Sequence, residues 1–204
     1  MQRRKFKIED YNKSEPSKDA TKFFIIYEGA VKEPNYFEAF NTAFLDSKSG
    51  YIHHILEEDT GIVGNTPLGI KITPSIDDRF RFVLDVDKHP IEQVEELKEF
   101  CDQLKDANLF ISNYCFEVWL WTHIEDLNKI TASNSKEIKA ELGNLQTGNY
   151  PHCFMDKALI DSAIERCKSA DADKSNYFPR EKNSKVYLLI EELLKYSFWE
   201  IEVK

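Results

Sequence analysis

Two short apolar runs that each stop at carboxylates constrain this chain more than any other feature. Phe23-Phe24-Ile25-Ile26-Tyr27 runs into Glu28-Gly29, and Phe80-Arg81-Phe82-Val83-Leu84 runs into Asp85-Val86-Asp87. Aromatic and β-branched runs of this length read as strands buried in a sheet. Open α/β sheets bind their ligands outside the carboxyl ends of the strands. Alternation along a strand sends residues i and i+2 to one side, so Asp85 and Asp87 are expected to project together. Three carboxylates at one sheet edge repel unless a cation lies between them. Hard oxygen donors suit Mg²⁺ or Mn²⁺.

The rest of the chain fits an α/β layer followed by helices. Residues 1–20 are polar and read as a loose arm. The first strand is expected over 22–27, with a helix starting near Glu33-Pro34, where Pro34 suits the first helical position. A second strand is expected in 51–57, and 59–75, with three glycines and two prolines, fits a short helix or a loop. The third strand, 80–86, delivers the aspartates. Ile91, Val94, Leu97, Cys101 and Leu104 then recur at helical spacing and predict an amphipathic helix over 91–106. Leu109-Phe110-Ile111-Ser112 reads as a fourth strand, so strand–helix alternation predicts parallel pairing with crossover helices. Beyond 112, Phe116, Trp119, Leu120 and Trp121 predict a fully buried helix, with further helices at 134–142, 156–170 and 184–196. The expected organisation is an arm (1–20), an α/β core (21–112) and a helical extension (113–204).

Composition narrows the class. At 204 residues, 42% of them hydrophobic, the chain is long and apolar enough for one folded domain with an appendage. No apolar run approaches the ~18 residues of a membrane span, and the start has no apolar signal core, so a cytoplasmic protein with no membrane association is expected. The cysteines (Cys101, Cys115, Cys153, Cys167) form no C-x-x-C pair and read as reduced thiols, while a zinc site at His152 and Cys153 would need distant partners. A net charge of −9 argues against broad electrostatic binding of a duplex. Local basic groups (Arg3, Arg4, Lys5, Lys7, Arg79, Arg81, Lys88) could still steer a strand, and a partner chain would add affinity.

Glu-Gly after the first strand and Asp-x-Asp after a later one resemble the Toprim domain of topoisomerases, primases and the overcoming-lysogenization-defect nucleases. The likeness narrows over longer blocks. Tyr27-Glu28-Gly29-Ala30-Val31-Lys32-Glu33-Pro34-Asn35-Tyr36-Phe37 resembles the E-G-x-x-T-E-P-x-Y-F motif of the RloB-like family. Asp85-Val86-Asp87-Lys88-His89 is similar to its D-x-D-x-H element, and Ser112-Asn113-Tyr114-Cys115-Phe116-Glu117-Val118-Trp119-Leu120 to its S-N-P-C-F-E-x-W-L box. Lys185–Leu193 is similar to the family's closing helix. Lys32 stands where the family has Thr, Tyr114 where it has Pro, and Trp121-Thr122 where it has leucines.

The resemblance implies a Toprim-like core of about four parallel strands with flanking helices. It also implies a metal-dependent nuclease acting on RNA such as tRNA, or on DNA, as an effector of bacterial antiphage defence with an ABC- or SMC-like ATPase partner. Glu28, Asp85 and Asp87 are the expected metal ligands, with Asp85 and Asp87 on one cation and Glu28 on a second or acting as general base. His89 is a candidate for phosphate contact or proton transfer, or an exposed loop histidine. Glu117, inside an aromatic helix, either reaches the metal site or bonds loop amides such as those of Ser112-Asn113, since an unpaired charge there is costly. Glu33 reads as a helix-start residue favoured by the dipole, and His123 as a satisfied core histidine. Two other readings stand beside the nuclease: a catalytically silent adaptor regulating the ATPase, and nucleotide synthesis on the same metal site, for which no P-loop is present.

Overall fold

The computed structural model describes residues 18–27, 29, 31–56, 78–146 and 148–198. The arm through residue 17, the stretch 57–77 and Glu28 lie outside the described residues. Four strands, β1 (Thr21–Tyr27), β2 (Gly50–Leu56), β3 (Asp78–Asp85) and β4 (Ala107–Ser112), form one all-parallel sheet in the order β2-β1-β3-β4. Helix α1 (Lys32–Phe44) connects β1 to β2, and α2 (Ile91–Gln103) connects β3 to β4. The arrangement agrees with the α/β class expected from the strand–helix alternation and is consistent with the Toprim-like core that the resemblance implies.

Side-chain parity sorts the core into two layers. In β1, Phe23, Ile25 and Tyr27 face one side with α1, while Phe24 and Ile26 face the other with Val94, Leu97 and Cys101 of α2. All five are buried, so β1 reads as a continuous apolar run because both its faces are covered. The two crossover helices thus lie on opposite faces, as in a doubly wound sheet.

The helical half covers the α1 face. It comprises α3 (Glu117–Trp121), α4 (Ser135–Leu145), α5 (Lys157–Ala170) and α6 (Val186–Leu194). Every residue of α3 is buried, as its aromatic composition predicts. The chain returns to the sheet before α6: the Lys185 amide donates to the Ile111 carbonyl at 2.8 Å and the Asn113 amide to Asn183 at 2.9 Å. These bonds, with the Ser112–Ser184 bridge, tie the extension to the end of β4.

Several boundaries differ from expectation for local reasons. α1 begins at Lys32, so Pro34 is its third residue, a position whose amide also has no intrahelical acceptor. α2 stops at Gln103 rather than 106, with Leu104 already extended. The strand carrying the aspartates ends at Asp85, because Val86–Lys88 wind into a 3-10 turn.

Arg81 and Arg79 are not free to steer a strand. Arg81 is 1% exposed on the α1 face of β3, where its guanidinium grips both carboxylate oxygens of Glu192 at 2.8 and 2.7 Å and Asp106 at 2.8 Å. Arg79 donates to the same Glu192 at 3.0 Å. A bidentate, charge-assisted pair of this kind satisfies a mid-sheet arginine and locks α6 to β3.

His123 is buried among Tyr36, Trp119 and Phe154. Nδ1 lies 3.1 Å from the Trp119 carbonyl and Nε2 3.1 Å from the Tyr36 hydroxyl. The carbonyl requires Nδ1–H, so Nε2 is the acceptor and the ring is neutral. Burial pushes the histidine down to about 3, against hydrogen bonds that act the other way. The unfolded chain therefore takes up this proton first, near pH 6.5. Stability is full above that pH and declines as pH falls toward the folded value, by about 1.4 kcal/mol per pH unit for one proton. Between pH 6.5 and 5, thermal melts of wild type are expected to slope more steeply than those of His123→Gln. Parallel slopes would refute the assignment.

Candidate metal and phosphate site

The order β2-β1-β3-β4 places a topological switch point between β1 and β3, where the crossovers leave in opposite directions. Such a point opens a crevice at the carboxyl ends of the strands. β1 ends at Tyr27, opposite Val83, and β3 continues two residues further to Asp85, opposite Ser112. Asp85 therefore stands at this edge, 4% exposed. It shares the parity of Val83 and so faces the layer of the C-terminal helices.

That layer brings charged groups to meet it. Cys115 is buried, and its thiol is pushed up by burial first and then by the negative fields of Glu117 and Asp85. Burial thus holds it protonated. Lys139 of α4 feels Glu117, Asp85 and Asp87 together. Burial opposes its charge, but these carboxylates outweigh burial and raise its pKa.

Strand alternation does not set Asp87 beside Asp85, because β3 ends at Asp85. Asp87 lies exposed on the 3-10 turn, with its amide donating to the Tyr114 carbonyl at 3.2 Å. Its carboxylate accepts the hydroxyl of Ser135, the first residue of α4. The amino end of α4, capped by Asn134, favours an anion at this place.

Glu117, 3% exposed, is held by two ammonium groups. Lys32 Nζ lies 2.5 Å from Oε1 and Lys139 Nζ 3.9 Å from Oε2. Its charge is met by lysines from α1 and α4, and the Asn113 amide goes to Asn183 rather than to Glu117. His89 sits beyond the turn, its Nδ1 3.4 Å from Gln93 Oε1 at the start of α2. Glu28, the third expected ligand, lies outside the described residues, while Tyr27 and Gly29 on either side of it are placed.

Three site residues escape a reading of the sequence. Glu33 is in the first turn of α1 as expected, yet it is buried, and its carboxylate lies against Gly29, where any Cβ would collide with it. The six-residue frame from Glu28 to Glu33 was the available signal. Lys32 and Lys139 had none, because their partner is 85 residues away from one and 22 from the other. The Tyr150 hydroxyl donates to the Lys32 carbonyl and fixes the backbone there.

Among the described residues, no three His, Cys, Asp or Glu side chains form a cluster that could hold a metal ion alone. Asp85 and Asp87 nonetheless fit Mg²⁺ in donor type and number. That ion takes one or two protein carboxylates and completes its octahedron with water and phosphate oxygens. Among the described residues, no helix is long and apolar enough to cross a membrane.

The RloB-like protein family model matches residues 23–193. No curated protein and no solved structure matches the chain. The matched span runs from the second residue after the start of β1 to the last turn of α6 and contains every site residue described above. The chain belongs to the RloB-like family.

Proposed function

We propose that the chain is a divalent-metal-dependent nuclease, hydrolysing phosphodiester bonds in RNA such as tRNA, or in DNA. In this reading it is the cytoplasmic effector of a bacterial antiphage defence that acts with an ABC- or SMC-like ATPase. The observation that carries the reading is the position of Asp85 at the carboxyl end of β3, beside the sheet's switch point, with Asp87 two residues further on. Open sheets bind their ligands at this edge, and hard carboxylate oxygens suit Mg²⁺ or Mn²⁺.

When bound, the ion supplies Lewis-acid stabilisation of charge on a phosphoryl oxygen and a more acidic water. Asp85 and Asp87 hold it, with Ser135 and the amino end of α4 orienting Asp87. Glu28 is the candidate third ligand or general base, and His89 a phosphate or proton-transfer group at the rim. Glu117 and Lys139 set the charge behind the aspartates.

A catalytically silent adaptor on the ATPase is the alternative, and one experiment separates the two. The chain and its ATPase partner are co-expressed, wild type against Glu28→Ala, and scored for toxicity and for cleaved nucleic acid. Toxicity with cleavage, both lost in Glu28→Ala, and cleavage in vitro suppressed by chelation, is the expected result. Wild-type toxicity without any cleaved RNA or DNA would favour the adaptor.

A further inference from the structure

We infer that Lys32 and Lys139, held together on the buried carboxylate of Glu117, form a subsite for the phosphodiester backbone of the substrate, beside the aspartates. The inference rests on the nuclease reading above and adds the residues that bind the strand.

The charge around Glu117 carries it. Glu117 is 3% exposed, and a carboxylate so buried needs one compensating charge. It has two: Lys32 Nζ lies 2.5 Å from Oε1 and Lys139 Nζ 3.9 Å from Oε2. The fields of Asp85 and Asp87 also reach Lys139. In the metal-bound site those aspartates are answered by the ion, which leaves one ammonium more than Glu117 requires. The fold does not bury that surplus. The two lysine side chains are 46% and 41% exposed, and each ammonium has three donors, of which the carboxylate takes at most one.

The placement is that of a ligand site. Lys32 opens α1, the element after β1, and Glu117 opens α3, the element after β4. Both therefore stand toward the carboxyl edge of the parallel sheet, where open sheets bind their ligands. Ser135 and Lys139 are at i and i+4 of α4 and share one face. Ser135 donates to Asp87, so the face that meets this aspartate also carries the ammonium. The Tyr150 hydroxyl fixes the Lys32 backbone, and the shared carboxylate restrains both side chains. Such restraint lowers the entropy lost when the lysines meet a phosphate, to which each is a compact point charge. A chain of net charge −9 has no general attraction for a polyanion and needs local cations of this kind.

Fluorescence anisotropy of labelled single-stranded RNA and single-stranded DNA, titrated with the full chain in Ca²⁺ over a series of KCl concentrations, counts the phosphate contacts. Each contact on a single strand adds about 0.7 to the slope of log Kd against log salt. Lys32→Met and Lys139→Met are each expected to lose about 0.7 of slope and to weaken binding of every sequence alike. Lys32→Arg and Lys139→Arg, which keep the charge, are expected to hold the wild-type slope. Lys32→Met/Glu117→Gln removes the ammonium together with its buried partner, so it strands no charge and covers the case in which Lys32→Met does not fold; the same loss of slope is expected. A loss seen with RNA alone or with DNA alone supports the inference and identifies the strand. Wild-type slopes in the methionine variants, with a lower Tm as the only change, would make the pair a structural ion cluster and overturn the inference while leaving metal-dependent cleavage intact. A wild type that binds neither RNA nor DNA, alone or with its ATPase partner, would overturn the inference and the nuclease reading together.

Discussion

Replacing Asp85 by asparagine is expected to abolish nucleic-acid cleavage while leaving the fold as stable as wild type or slightly more so. The carboxylate is buried at the switch-point edge of the sheet, its negative field felt by Cys115 and Lys139. Asparagine keeps the shape and one oxygen but loses the charge that binds a divalent ion. Loss of electrostatic stabilisation at a reacting phosphate costs about 100-fold or more in rate. In chelator, clustered like charges destabilise, so neutralising one relieves strain stored at a functional site. Thermal melts in metal-free buffer should place Asp85→Asn within about 1 kcal/mol of wild type, the usual range for a substitution that opens no cavity. With Mg²⁺ added, only wild type should gain stability, as a ligand that binds the folded state requires. A large loss in metal-free buffer would make Asp85 a structural residue instead.

Lys185→Met is expected to have the largest effect on stability. Lys185 is 2% exposed in its side chain and its partner Asp171 7%. Its ammonium donates to Asp171 at 2.6 Å and to the Asp173 carbonyl at 2.9 Å, and the Tyr187 hydroxyl donates to the same Asp171 oxygen at 2.7 Å. Removing the ammonium strands a buried carboxylate, which costs about 3–5 kcal/mol. For a chain of this size that corresponds to a fall in Tm of about 10 °C. The double variant Lys185→Met/Asp171→Asn should recover more than half of the loss, because the penalty lies in the unpaired charge.

The pH dependence of that pair has a definite sign. Burial pushes the Asp171 carboxyl up, but Lys185 and Tyr187 outweigh it and hold it below its usual value. The stability it contributes is therefore present above the unfolded value near pH 3.9 and is lost as pH falls through the lower folded value. Without Lys185 the carboxyl protonates more readily. The gap between wild type and Lys185→Met should then narrow below about pH 4. A gap constant with pH would show that lost packing, not charge, is the cause.

What the sequence by itself determined is whatever depends on near neighbours in the chain. The continuous apolar run Phe23–Tyr27, the helical spacing of Val94, Leu97 and Cys101, and the all-round apolar character of Val118–Trp121 each name an element and how it is buried. The same local logic put Asp85 at the end of a strand. What only the tertiary structure decided is which layer each face meets. The parity of β3 turns Arg81, Val83 and Asp85 to one side, and packing of the C-terminal helices on that side makes Arg81 a buried clamp for Glu192. It likewise gives Asp85 its neighbours Cys115 and Lys139, from elements that follow it in the chain. Lys32 shows the limit plainly: it is an ordinary exposed lysine in the sequence, and becomes the counter-charge of a buried glutamate only because α1 and α3 pack on the same face of one sheet. Coulomb energy depends on distance and burial, and neither is a property of neighbours along the chain.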